Sequence, residues 1–162
     1  MGPIIALCVV VVVIIAVIII AIAHRKYKKK TALKRKIKSL AENALEIAPE
    51  EFIETRKQWL FGRRQSPKAQ ELNFSGVYIL YNKTKNKYYV GQGRKIFNRV
   101  NAHFTGKGNG DVYADYKYGD EFTIKMISLE NSGLTSLNEL ERLMIAEYDA
   151  CASGYNKTKG NN

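Results

Sequence analysis

A chain of 162 residues with 26 lysines and arginines against 15 acids, net +11, has room for one ordinary domain and an appendage, and its charge invites a polyanionic partner. Its two cysteines, Cys8 and Cys151, lie far apart in unlike surroundings, which excludes a disulfide framework and a cysteine-based zinc site. The charge is local: residues 24–38 carry nine bases and no acid, residues 39–73 five bases against six acids, and residues 74–162 twelve against nine, so bulk basicity is no argument for nucleic-acid binding by the C-terminal half.

Ile4–Ala23 is a run of twenty apolar residues, long enough as a helix to cross a bilayer. The sequence HRKYKKKTALKRKIK follows it, and a basic cluster of this kind stays on the cytoplasmic side. The expectation is a single-pass anchor, residues 1–23, in the cell membrane, with the N-terminus outside. Ala21-Ile22-Ala23 resembles a signal-peptidase site, but the run lacks a basic n-region and the block behind it resists translocation. The nine bases serve as a topology signal resting on anionic headgroups, or as a patch that also holds DNA near the membrane.

Residues 24–73 read as a basic, helical juxtamembrane linker. From Ala32 to Ala48 the apolar positions Leu33, Ile37, Leu40, Ala44 and Ile47 form a short heptad stripe, which predicts an amphipathic helix and permits a weak homodimer through residues 33–47. Pro49 suits the first position of a further helix to about Leu60, with Glu50 and Glu51 at its positive end. Phe61–Leu72, broken by Gly62 and Pro67, reads as a connection.

Two apolar and aromatic runs, Val77–Tyr81 and Tyr88–Val90, flank the polar segment Asn82–Lys87, the pattern of a hairpin. Alternation places Gly76, Tyr78 and Leu80 on one face of the first strand and Val77, Ile79 and Tyr81 on the other; Tyr89 and Gly91 share a face opposite Tyr88 and Val90. Arg94–Thr105 reads as a helix with the apolar stripe Ile96, Phe97, Val100 and Phe104, and with Arg99 and His103 together on its edge. Thr105–Asp111 is a glycine-rich loop without the strand-to-helix setting of a phosphate cradle. Phe122–Leu129 reads as a third strand and Ser136–Ala150 as the last helix. In that helix Glu141 falls inside the apolar stripe while Glu139 points to solvent. A carboxylate turned inward is protonated, paired with a base or bound to a cation.

Gly76-Val77-Tyr78 followed after ten residues by Tyr89-Val90-Gly91 resembles the signature of the GIY-YIG nuclease family, with Val for Ile in each half. Arg99, His103, Glu141 and the Gly154-Tyr155-Asn156 segment stand at spacings similar to that family's, and the resemblance covers residues 74–158. It implies an α+β fold, a small three-stranded antiparallel sheet flanked by helices, over residues 74–162. It also implies a DNA endonuclease that hydrolyses phosphodiesters with Mg²⁺, or Mn²⁺ in its place, on Glu141. Tyr78 and Tyr89 would orient or deprotonate the attacking water, Arg99 would clamp a phosphoryl oxygen, His103 would share the proton or hold Tyr78, and Asn156 would position the site. Some relatives carry Lys after the second motif glycine; here it is Gln92, and Lys87, Arg94 or Lys95 are the candidate substitutes for contacting substrate. Taken singly, the tyrosines read as cross-strand packing, Arg99 as a solvated helix residue and Glu141 as half of a salt bridge; it is their joint spacing that favours the nuclease. The joint reading is a membrane-anchored nuclease with a cytoplasmic catalytic domain, placed to meet incoming foreign DNA. The alternative is an inactive nucleic-acid or protein binding module tethered to the membrane.

Overall fold

The computed structural model describes residues 2–61 and 67–161; residues 62–66, with Gly62 of the predicted connection, lie outside them. The chain divides into two compact units, Met1–Lys36 and Ile37–Asn162. Helix α1 (Gly2–Asn43) supplies the first. Its valines and isoleucines from Val10 to Ile22 are 46–67% exposed, a continuous apolar sleeve far larger than monomers leave in water. By length and composition this helix is able to cross a membrane.

The second unit takes in the last turns of α1, where Ile37 and Ala41, one turn apart, are buried. The Ala41 carbonyl accepts from Lys125 Nζ and from the Tyr148 hydroxyl, both at 3.3 Å, donors suited to the negative end of a helix. The helix stops at Asn43, short of the predicted Ala48. The Ala41 carbonyl that a continuing helix would offer to Leu45 is taken by these two donors, and the Asn43 amide turns back to the Ser39 carbonyl at 2.8 Å. Of the stripe expected to permit a dimer, Ile37 and Ile47 are buried within this unit, while Leu33, Leu40 and Ala44 are half-buried.

The antiparallel sheet has four strands in the order β1-β4-β2-β3, not the three expected. They are β1 (Glu46–Ile47), β2 (Gly76–Asn82), β3 (Lys87–Gly93) and β4 (Phe122–Ser128). The added strand is only two residues long, and its Ile47 matched a helical stripe, which hid it. It forms because β4 offers an open edge: Ile47 pairs with Ile124 and is buried, while Glu46 lies opposite Lys125, their charges 3.7 Å apart.

Pro49 opens α2 (Pro49–Phe61) with Glu50 and Glu51 in its first turn, as expected. Part of the predicted connection is instead a helix, α3 (Pro67–Leu72), again opened by a proline whose missing N–H costs nothing there. Helix α4 (Ile96–Phe104) follows the hairpin, and α5 (Gly110–Lys117) grows out of the glycine-rich loop. The Asn109 side chain caps α5, accepting from the backbone of Asp111 and Val112 at 3.0 and 3.1 Å. The short α6 (Leu129–Ser132) and then α7 (Leu137–Glu147) complete the order.

The register pairs Tyr78 with Gly91 and Leu80 with Tyr89, so the four share one face. On that face Tyr78, Leu80 and Ile124 pack with Ile96, Phe97 and Val100 of α4, and the Phe97 ring lies 4.5 Å from Phe52 of α2. The other face holds Tyr88, whose ring lies 4.8 Å from that of Tyr148 just after α7. Central β2 is thus covered on both sides, and the helices that carry Arg99 and Glu141 approach from opposite faces.

Ile37 belongs to the core of the second unit although it lies far upstream of the hairpin. We expect Ile37→Ala to destabilise that unit by about 2–5 kcal/mol, the usual cost of deleting a buried branched side chain, read as a lowered unfolding midpoint of the full-length chain in detergent. An unchanged midpoint shows that α1 is not part of this core.

Candidate active site

The motif glycines make room. A Cβ on Gly91 would lie 2.5 Å from Cζ of Tyr78, so the phenol lies across its cross-strand neighbour only because that neighbour has no side chain. A Cβ on Gly76 would meet the Ile127 carbonyl of β4. Tyr78 is fully buried, with ring centroids 5.5 Å from His103 and 6.2 Å from Tyr89. Tyr89 is half-buried and 4.6 Å from the His103 ring.

The proton positions follow from the partners. Nδ1 of the buried His103 accepts the backbone N–H of Asn109 at 2.9 Å, so the neutral ring carries its proton on Nε2. That Nε2–H donates to the Tyr78 hydroxyl at 2.9 Å. Tyr78 and Tyr89 are coupled, an interaction that raises the first phenol and, through its hydrogen-bonding part, lowers the second. Burial drives His103 down to about 4, and the charge of Arg99 adds to the effect. Burial also lifts both phenols above their ordinary value, the lift on Tyr78 reinforced by Tyr89, while Arg99 opposes it at each ring. Arg99 is exposed on α4, at the edge of the stripe that buries Ile96, Phe97 and Val100, and its charge favours ionisation of Tyr78.

Glu141 comes from α7, whose first turn is capped by Ser136. It is 8% exposed, between the buried Leu140 and Met144. Its Oε2 accepts from Gln92 Nε2 at 3.0 Å and from the Asn161 backbone at 3.5 Å. Among the described residues it forms no ion pair, and its charge adds to the lift on Tyr89. Tyr78, Tyr89, Arg94, Arg99, Gln92 and Glu141 line one cleft of about 820 Å³. No cluster of three or more histidines, cysteines or acids occurs among the described residues. Glu141 is the carboxylate of the cleft, and a single carboxylate suits a hard divalent cation that keeps most of its water.

The other sequence candidates fall elsewhere. His103 stands behind Tyr78. The Asn156 side chain accepts from the Val90 N–H at 2.8 Å and donates to the Val90 carbonyl at 2.7 Å, closing the outer edge of β3 as another strand would. It also lines a smaller, adjoining cleft with Tyr89, Arg99 and Glu141. Lys95 is exposed at the start of α4. Lys87 lies at the far end of β3 with its ammonium 5.8 Å from the Tyr155 ring. Sequence reasoning missed Asn109 and Gly108, which bear on His103, and gave Gln92 no role.

The family described as the GIY-YIG catalytic domain matches residues 74–156. Among solved structures, the chain is similar to the catalytic domain of the intron endonuclease I-TevI, at 25% identity, over 54% of this chain and 96% of that one, with a TM-score of 0.42. No curated protein matches.

The buried neutral His103 gives a signed pH dependence. With a folded value of about 4 against 6.5 unfolded, its contribution is complete above pH 6.5 and lost as pH falls from there to about 4, on the order of 3 kcal/mol. Denaturant midpoints across that window are expected to fall more steeply in the wild type than in His103→Gln. Gly91→Ala is expected to cut cleavage at least ~100-fold by displacing the Tyr78 phenol, a misplacement of about an ångström; wild-type kcat in this variant refutes the packing argument.

Proposed function

The chain belongs to the GIY-YIG family of nucleases, and from that premise we propose that it is a divalent-metal-dependent DNA endonuclease, held at the membrane by α1, with its catalytic unit on the cytoplasmic side. The observation that carries the catalytic part is the convergence, in one cleft, of two coupled phenols, a guanidinium and a carboxylate without a cationic partner among the described residues. Hydrolysis breaks the bond from phosphorus to the leaving 3′ oxygen while a water oxygen bonds to phosphorus and gives up a proton. Arg99, forked and always charged, takes a non-bridging oxygen and offsets the charge that builds there. Tyr78 and Tyr89 act as one titrating pair that orients the water and, in its singly ionised form, accepts the water's proton, with His103 donating to Tyr78 from behind to hold the pair in place. Glu141 would hold the metal, which supplies charge neutralisation at the phosphoryl and leaving oxygens when bound. Arg94, on the cleft wall, contacts a flanking phosphate, and Asn156 keeps β3, and with it Tyr89, in register.

The membrane part is supported by the exposed apolar sleeve of α1 and by the nine bases of residues 24–38, which favour the cytoplasmic face and anionic lipid. So placed, the enzyme meets DNA at the inner surface, including DNA that is entering.

The full-length chain in detergent is expected to nick or cut plasmid DNA with Mg²⁺ and to lose at least ~1000-fold in kcat/KM as Arg99→Ala or Glu141→Ala, typical of removing a transition-state contact. Equal cutting by all three excludes these roles, and steeply salt-dependent binding with no cutting under any divalent metal leaves the tethered binding module. Because both phenols titrate above their ordinary value, the rate should climb through pH 6–9 with no acid limb from His103. Protease accessibility of the catalytic unit in right-side-out and inverted vesicles tests the orientation.

A further inference from the structure

Gln92, the last residue but one of β3, is half-buried on the cleft wall. Its Nε2 makes two contacts, 2.7 Å to Oδ1 of Asn138 and 3.0 Å to Oε2 of Glu141. An ionised carboxylate only accepts, so the amide must turn its nitrogen toward Glu141, and its second N–H is then committed to the Asn138 oxygen. Asn138 and Glu141 are three residues apart on α7 and share a face. One side-chain amide thus joins the strand that carries Tyr89 to the helix that carries Glu141, and it fixes one of the two carboxylate oxygens.

We propose that Gln92 is the positioning residue of the metal site: a neutral donor that sets the orientation of Glu141 and leaves the full negative charge available to a divalent cation. This rests on the reading of Glu141 as the metal ligand. The choice of side chain follows from electrostatics. A lysine here would orient the carboxylate equally well but neutralise it, competing with the cation. An apolar residue would free the carboxylate to rotate and leave the Asn138 oxygen without this donor. The amide does neither, so the ligand is ordered before metal or DNA arrives. Outer partners of this kind tune affinity without touching the ion.

Binding of Mn²⁺ to the full-length chain in detergent, without DNA, tests this by electron paramagnetic resonance and calorimetry. Gln92→Met, close in length but without a donor, is expected to weaken Mn²⁺ binding about 10-fold or more, and Gln92→Lys at least as much. Cleavage by Gln92→Met should recover as the metal concentration rises, whereas cleavage by Arg99→Ala should not; a purely structural defect would give no such recovery. Wild-type Mn²⁺ affinity in Gln92→Met, or cleavage that stays low at saturating metal, overturns the proposal. If Gln92→Met does not fold, Gln92→Lys, which retains a donor, decides it by the same measurement. Equal Mn²⁺ binding by wild type and Glu141→Ala is a different result: it removes Glu141 as the ligand, and the role of Gln92 with it.

Discussion

A carboxylate buried between Leu140 and Met144, with no base to match it among the described residues, is the interaction on which the arrangement turns. Taking such a charge out of water costs several kcal/mol unless something answers it. Two neutral donors, the Gln92 amide and the Asn161 backbone, answer it in part. The packing of α7 on the sheet holds it at the wall of the cleft. The same charge raises Tyr89, and a cation at Glu141 both relieves the burial and makes the neighbouring phenol easier to ionise.

On the opposite face of the sheet the problem is one of direction. Because the Asn109 backbone donates to Nδ1, the His103 proton sits on Nε2 and is given to Tyr78, which is coupled in turn to Tyr89. The depressed histidine stays neutral and cannot reverse the chain at ordinary pH. The glycine-rich loop acts by holding this tautomer. Gly108 lets it come close, since a Cβ there would lie 2.6 Å from Nδ1.

Much of this was legible because it is periodic. The strict alternation of the hairpin grouped Tyr78 with Gly76 and Leu80 and Tyr89 with Gly91, though only the strand register joins the two sets on one face, and helical spacing put Arg99 beside His103 and turned Glu141 inward. What escaped was local pairing that leaves no period. The two-residue β1 carries too little sequence to stand out from a heptad stripe, and its existence depends on the open edge of β4. Helix α5 was hidden because its start is set by the Asn109 cap in a stretch otherwise dominated by glycine. Gln92 stood out only as a departure from a pattern; its partners, Asn138 and Glu141, lie more than forty residues away, a distance that no spacing rule spans.

The outer edge of β3 has a consequence beyond catalysis. The Tyr88 carbonyl accepts from the Tyr155 backbone, and both polar groups of Val90 are taken by the Asn156 amide. An unpaired rim of this kind is a template for intermolecular strand addition, and such rims need guarding. A side chain here does the work of a fifth strand without leaving a new rim behind it. The Tyr-Asn pair therefore protects solubility as well as shape: chains that lose it expose a sticky, valine- and tyrosine-rich border through which copies can zip together.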